Sequence, residues 1–216
     1  DRDATANAKP AAVAPLQPTL LGKIAFKPCS LSSSMTRDSL EAQCARFEVP
    51  EDRARPNGRK IALNIAWLQA TANGEVMPDP VFFLAGGPGQ SAVETFPGLN
   101  PVFREVRKQR DVILVDQRGT GKSNLLSCAP PEGDDDAFDP SPDAMQAQAA
   151  ACADALSKKA DLRYYTTTDA VADLDDVRQA IGAEQINLVG VSYGTRVAQQ
   201  YAMRHPAATR SIVLDS

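Results

Sequence analysis

Four short stretches of the chain are almost purely apolar: Val81-Phe82-Phe83-Leu84, Val112-Ile113-Leu114-Val115, Ile186-Asn187-Leu188-Val189 and Ile212-Val213-Leu214. Runs of this length, bounded by polar or turn-forming residues, predict strands buried on both faces of a parallel sheet. Upstream the pattern differs. Ile61, Leu63, Ile65 and Trp67 alternate with smaller or polar residues, which predicts a half-buried antiparallel strand over Lys60 to Gln69. A partner strand, Cys44 to Val49, precedes it across a polar turn through Pro56-Asn57-Gly58. Between the later runs the apolar spacing becomes helical. Val171, Leu174, Val177, Arg178 and Ile181 predict a helix over Thr168 to Ile181 that Gly182 stops. A second helix is predicted over Ser192 to Arg204, ended by His205-Pro206, and a third, Ala-rich, over Asp143 to Lys159. Antiparallel strands followed by a β-α-β series describe an α/β sheet with an antiparallel edge. No internal repeat is visible. Residues 1–20, rich in Ala, Pro and Asn without periodicity, are expected to be a flexible lead-in to one domain over 21–216.

Composition narrows the class. With 43% apolar and 23% charged residues the 216-residue chain is ordinary for a globular protein. Its net charge of −4, with both signs scattered, points to neither nucleic acid nor an anionic membrane as partner. No apolar run approaches the roughly 20 residues that a membrane-spanning helix requires. The start at Asp1 lacks the basic and apolar regions of a signal peptide, so an exported protein is expected to have lost its signal already. The four cysteines favour export. Neither Cys29 and Cys44 nor Cys128 and Cys152 have C-x-x-C spacing, and the single histidine, His205, is distant, which argues against a zinc site. Of three possible connectivities the simplest is two local disulfides, Cys29 to Cys44 and Cys128 to Cys152. The alternative is four reduced thiols in the cytosol. Closing a loop of about 15 residues stabilises by roughly 3 kcal/mol on the chain-entropy account.

The candidate chemistry lies where the third apolar run meets a helix. Gly190-Val191-Ser192-Tyr193-Gly194 is G-x-S-x-G between a predicted strand and a predicted helix, the setting that a nucleophile elbow demands. A serine there must occupy a tight, strained turn, and glycines at 190 and 194 relieve the crowding around it. The helix N-terminus favours developing negative charge. Acyl transfer also needs two backbone N–H donors for an oxyanion. Tyr193 is placed to supply one, and the loop Ala85-Gly86-Gly87-Pro88-Gly89 after the first apolar run the other. Two imitations are present. Gly87-Pro88-Gly89-Gln90-Ser91-Ala92 fits G-x-G-x-x-A, with Asp116 ending the next strand, as in a dinucleotide fold. However, Pro97 and Gly98 are expected to prevent a phosphate-binding helix over Val93 to Asn100. Gly121-Lys122-Ser123 resembles the end of a P-loop, but the position five before Gly121 is Asp116 rather than glycine.

Three segments occur in order: Gly86 to Gly89, Asp116-Gln117-Arg118-Gly119-Thr120-Gly121-Lys122-Ser123, and Gly190 to Thr195. With the paired cysteines and the stretch Tyr165 to Arg178, they resemble the proline iminopeptidase and tripeptidyl aminopeptidase family of α/β-hydrolases, particularly its secreted bacterial branch. The resemblance covers roughly Cys29 to Ser216. It implies the N-terminal part of a mostly parallel sheet, about six of eight strands, with the cap and last strands outside this chain. It implies a serine exopeptidase that releases short peptides or proline from free N-termini through an acyl-enzyme, without cofactor or metal. Ser192 then matches the nucleophile, and Gly87 and Tyr193 match the oxyanion-hole donors. Arg118, in a largely structural loop, is expected to tie neighbouring loops together. Ala85 departs from the histidine that many relatives carry there, a change expected to affect loop packing more than chemistry.

The triad is incomplete. In this fold the order is Ser, then Asp or Glu, then His. Residues 193–216 contain one acid, Asp215, and one histidine, His205. About 13 helical residues at 1.5 Å each put His205 some 20 Å from Ser192, far beyond the reach of a general base. Asp215 is expected to lead into the cap region. The Asp and His are therefore expected from a C-terminal fragment of the same enzyme, which would also carry the cap, with a peptide as substrate. Two other readings stay open: a carboxylesterase or lipase on the same fold, and a non-catalytic pseudo-hydrolase.

Overall fold

The computed structural model describes residues 18–33, 36–72, 74–128 and 141–216. Most of the stretch expected to be a flexible lead-in and the acidic loop over 129–140 lie outside the described residues. Eight strands form one sheet: β1 (Thr19–Leu21), β2 (Ile24–Ser32), β3 (Ser39–Pro50), β4 (Lys60–Leu68), β5 (Val81–Leu84), β6 (Val112–Val115), β7 (Ile186–Val191) and β8 (Thr209–Asp215). Their order is β1-β2-β3-β4-β6-β5-β7-β8. Four helices accompany them: α1 (Ala92–Leu99), α2 (Pro142–Ser157), α3 (Thr167–Ile181) and α4 (Tyr193–Arg204).

The α/β architecture is as expected, but the described sheet differs from the expected six strands and mostly parallel character. From β1 through to β6 the pairings are antiparallel, while β6-β5, β5-β7 and β7-β8 are parallel. The two additional strands, β1 and β2, extend the antiparallel side, which makes the sheet mixed, with four antiparallel and three parallel pairings. β2 hides from periodicity because Pro28 interrupts its alternation. The proline is tolerated because β1 pairs only with Ile24 to Phe26, leaving the outer edge of β2 without a described strand at Pro28.

The four-residue apolar strands feed two cores. Phe82, Leu84, Ile113 and Val115 face α3 and α4, where they meet Val171, Leu174, Val177, Val197 and Tyr201. Val81, Phe83, Val112 and Leu114 face the other way, toward Phe96 and Phe103. Alternation across a sheet buried on both faces makes each strand wholly apolar. Phe83 meets Phe96 and Phe103 edge to face, and Phe96 and Phe103 are tilted against each other, with centroids 4.9 to 5.9 Å apart.

Phe96 belongs to a helix that was not expected. Contrary to the reading of Val93 to Asn100, α1 forms despite Pro97 and Gly98. The Ser91 hydroxyl accepts the Glu94 N–H at 3.0 Å as N-cap, and burial of Ala92, Val93, Phe96 and Pro97 holds the two turns against the proline's missing N–H. α1 still does not make a phosphate site of the glycine loop. Its Val93 N–H donates to the Asp116 carboxylate at 3.1 Å, and the Ser91 hydroxyl donates to the same oxygen at 2.6 Å. A carboxylate of the protein itself occupies the helix entrance.

Both disulfides close as the simplest pairing has them. Cys29–Cys44 crosses from β2 to β3, and Cys128–Cys152 fastens α2, which has no buried residue of its own. At the other end of the loop structure, Arg118 is buried and grips Asp173 of α3 with two bonds, Nε to Oδ2 at 2.7 Å and Nη2 to Oδ1 at 2.6 Å. Its remaining N–H groups donate to the carbonyls of Pro50, Glu51 and Tyr164. Arg118 thus ties three segments together. Asp173→Ala would strand this guanidinium in the interior, so denaturant unfolding should show a loss of about 3–5 kcal/mol. A loss within measurement error would mean that the bond network is not load-sharing.

Candidate active site

β7 lies between β5 and β8, with Gly190 opposite Leu84 and Val191 opposite Asp215. At its end the chain must turn from strand to helix within one residue. Ser192 does this with φ 52° and ψ −119°, a conformation costing about 1–3 kcal/mol for an L-residue. Among the described residues only one other non-glycine, Asn124, has positive φ. The turn is pinned at both ends. The Ser192 N–H donates to the Asp215 carbonyl at 2.7 Å, and the Ser192 carbonyl accepts the Thr195 N–H at 3.0 Å and the Thr195 hydroxyl at 2.7 Å.

The flanking glycines have separate steric reasons. A Cβ on Gly190 would run into the Gly194 carbonyl, and a Cβ on Gly194 into the Leu84 carbonyl. The first contact lets α4 fold back over β7. The second lets α4 approach β5, whose continuation is the glycine loop. That loop packs directly on the serine: a Cβ on Gly86 would lie 3.1 Å from the Ser192 Cβ. Gly87 and Gly89 have φ of 100° and 112°, and the Gly87–Pro88 peptide is cis.

Of the two expected donor residues, Tyr193 directly follows Ser192, and Gly87 directly follows the glycine that packs on it. Tyr193 is the first residue of α4, where a helix leaves its N–H groups unbonded. Gly87 sits one residue from Gly86, with no hydrogen bond from its N–H among the described residues. Second-layer contacts fix both. The Tyr193 hydroxyl is 2.6 Å from the Thr167 hydroxyl at the start of α3. Asp116 anchors the far end of the glycine loop through Ser91 and Val93, and also accepts the Asn64 side-chain amide at 2.9 Å and the Lys122 N–H at 3.1 Å. The sequence had flagged Asp116 within two imitation motifs and as the first residue of the Asp116 to Ser123 segment, but not as the anchor of the glycine loop. Its position between a strand end and a glycine loop was the signal that could have identified it as their joint.

Neither His205 nor Asp215, the one histidine and the one acid after Ser192, completes a triad here. His205 caps the far end of the 12-residue α4, about 18 Å along the axis. There its Nδ1 is 3.6 Å from Asp175 and its ring packs on Tyr201 with centroids 4.8 Å apart. Asp215 is adjacent to Ser192 through its backbone. Asp175 also receives Arg178 Nε at 2.7 Å, Gln179 Nε2 at 2.7 Å and the Tyr201 hydroxyl at 2.8 Å. Burial pushes its carboxyl up, but these donors outweigh burial and hold it below the usual carboxylate range. Among the described residues no group of three or more His, Cys, Asp and Glu is arranged to hold a metal ion.

The family model of the α/β-hydrolase fold matches residues 79–216, well over half of the chain. This protein belongs to the α/β-hydrolase fold family. Among curated relatives, it is 27% identical over 215 residues to the serine protease Hip1 of Mycobacterium tuberculosis, covering 92% of this chain and 40% of Hip1. It is 31% identical over 188 residues to a tripeptidyl aminopeptidase of Streptomyces lividans, covering 81% of this chain and 35% of that protein. It is also 31% identical over 137 residues to a proline iminopeptidase of Neisseria gonorrhoeae, covering 62% of this chain and 31% of that enzyme. The chain thus spans well under half the length of these relatives.

Two outcomes follow from this geometry. Gly194→Ala should force α4 away from β5, lowering stability by about 1–3 kcal/mol in thermal unfolding and slowing reagent attack on Ser192. Unchanged labelling of a folded variant would contradict the interlock. The depressed Asp175 carboxyl contributes stability above its unfolded pKa, near 3.8, and loses it as pH falls through the lower folded value. Asp175→Asn should therefore weaken the fold near neutrality and flatten the dependence of stability on pH below about 4, as read by denaturant midpoints across pH.

Proposed function

We propose that Ser192 is the nucleophile of a serine exopeptidase that releases short peptides or proline from free N-termini. The observation that carries this reading is the strained serine between strand and helix, held against a glycine loop. In the proposed reaction the Ser192 Oγ attacks the scissile carbonyl carbon while a histidine takes its proton. The Gly87 and Tyr193 N–H groups donate to the oxyanion. Collapse of the tetrahedral adduct breaks the C–N bond, the histidine returns the proton to the leaving amine, and water then hydrolyses the acyl-serine by the same route.

The histidine and its carboxylate are assigned to polypeptide beyond these 216 residues, on a C-terminal portion that also bears the cap. Supporting this, β8 presents Ile212, Val213 and Leu214 at 40, 54 and 45% exposure, and Met203 on α4 is exposed as well. An apolar strand with that much open surface is suited to being covered. His205 is committed to Asp175, away from the site. The names of the similar proteins, a serine protease and two aminopeptidases, favour a peptidase over the esterase or lipase that the same chemistry could serve. Export to the periplasm or outside the cell is proposed from the two disulfides. No helix among the described residues is long and apolar enough to cross a membrane.

The test is labelling by a fluorophosphonate in the full-length protein. Wild type should label and Ser192→Ala should not, with a loss of at least about 10³-fold in rate. No labelling of the wild type would sink both the peptidase and the esterase readings and leave a non-catalytic module. Aminoacyl anilides and short-chain acyl esters then separate peptidase from esterase by their kcat/KM.

A further inference from the structure

Beside the elbow lies a cavity of about 250 Å³ whose wall shares residues with the proposed site. Pro88 and Gly89 directly follow Gly87, and Tyr193 directly follows Ser192. The remaining wall comes from the loop after β6, including Gln117 and Leu126, and from the entrance to α3, including Tyr165 and Ala170. A cavity of this size takes one amino-acid side chain rather than a whole peptide.

Its chemistry is defined by which polar groups are already engaged. The Tyr193 hydroxyl is paired with Thr167, and the Tyr165 hydroxyl donates to Glu51 at 3.1 Å and accepts from Asn124 at 2.5 Å. Burial pushes the Tyr165 phenol up to about 12, so it stays neutral. The Thr120 hydroxyl donates to the Gln117 carbonyl, and the Thr166 hydroxyl to Asp169. Arg118 lines the floor, but Asp173 neutralises its charge and three backbone carbonyls take its other N–H groups. The carboxamide of Gln117 makes no hydrogen bond among the described residues. No acidic side chain lines the cavity.

We infer that this cavity is a substrate subsite for a neutral, apolar side chain next to the scissile bond, with Gln117 donating to or accepting from the adjacent peptide group. It rests on Ser192 being the nucleophile. Two tyrosine rings, Pro88, Leu126 and Ala170 supply the apolar contact. A charged side chain or a free α-ammonium would lose its hydration there without gaining an opposite charge. The ammonium of an N-terminal substrate is therefore bound elsewhere.

The experiment uses the full-length protein and a panel of peptides varied one residue at a time on each side of the scissile bond. At one position wild type should prefer Leu, Val or Pro over Lys and Asp by at least about ten-fold in kcat/KM. Gln117→Glu, on a partly exposed loop, should reverse the order toward Lys at that same position. Ala170→Leu should fill the cavity and penalise Leu and Val while sparing Ala, with thermal unfolding confirming that the variant is folded. Fluorophosphonate labelling of Ser192 is the control. Normal labelling with a panel that neither variant reshapes overturns the subsite and leaves the nucleophile standing. Absence of labelling in wild type overturns both. A wild-type preference for Lys at every position equally refutes the subsite.

Discussion

The approach of α4 to β5 at Gly194 sets the geometry of everything above it. A side chain on residue 194 would occupy the place of the Leu84 carbonyl, so the helix can start where it does only with glycine there. That start decides where Ser192 and the Tyr193 N–H lie relative to the loop leaving β5. The unfavourable φ of Ser192 is a consequence of the same constraint. The chain has one residue in which to leave β7 and enter a helix already pressed against the neighbouring strand. Bonds from Asp215 and Thr195 stabilise that residue in a conformation it would not adopt alone.

Two buried carboxylates carry the constraint outward in different ways. Asp116 receives donors from Asn64 on β4, from Ser91 and Val93 at the start of α1 and from Lys122, so the far end of the glycine loop is tied to the end of β6. Asp173 works through Arg118, which in turn holds the carbonyls of 50, 51 and 164. The loop between these two anchors forms one wall of the cavity beside Tyr193. Arg118, the one charged side chain in that wall, is matched by Asp173, so the wall is electrically neutral. Such neutrality suits a surface that selects by shape.

Much of this was legible from residue order. The first three apolar runs became β5, β6 and β7 because a strand covered on both faces has no polar side to show, whereas Ile212-Val213-Leu214 became β8 with its side chains exposed rather than buried; Gly182 ended α3 with φ 79°. The elbow was legible because its glycines answer a steric need between neighbours in sequence and in the adjacent strand. What escaped was decided by distant contacts. α1 forms across Pro97 because Phe96 is packed between Phe83 and Phe103, and nothing within the segment announces that partnership. β2 carries Pro28 because β1 is too short to reach it. The role of Asp116 depends on four donors spread from residue 64 to residue 122, a convergence that spacing alone does not encode.

The single histidine illustrates how chemistry and placement must agree. His205 has a carboxylate partner in Asp175, which on composition alone could pass for two members of a triad. Yet Asp175 is simultaneously bonded to Arg178, Gln179 and Tyr201, and the pair lies at the end of α4 opposite the serine. A general base must reach the hydroxyl proton to within about 3 Å, and a rigid helix of 12 residues keeps this imidazole away. The same helix that positions Ser192 so tightly therefore prevents its own histidine from activating it. A working site would need an imidazole from outside the described elements, brought within reach of the Ser192 hydroxyl.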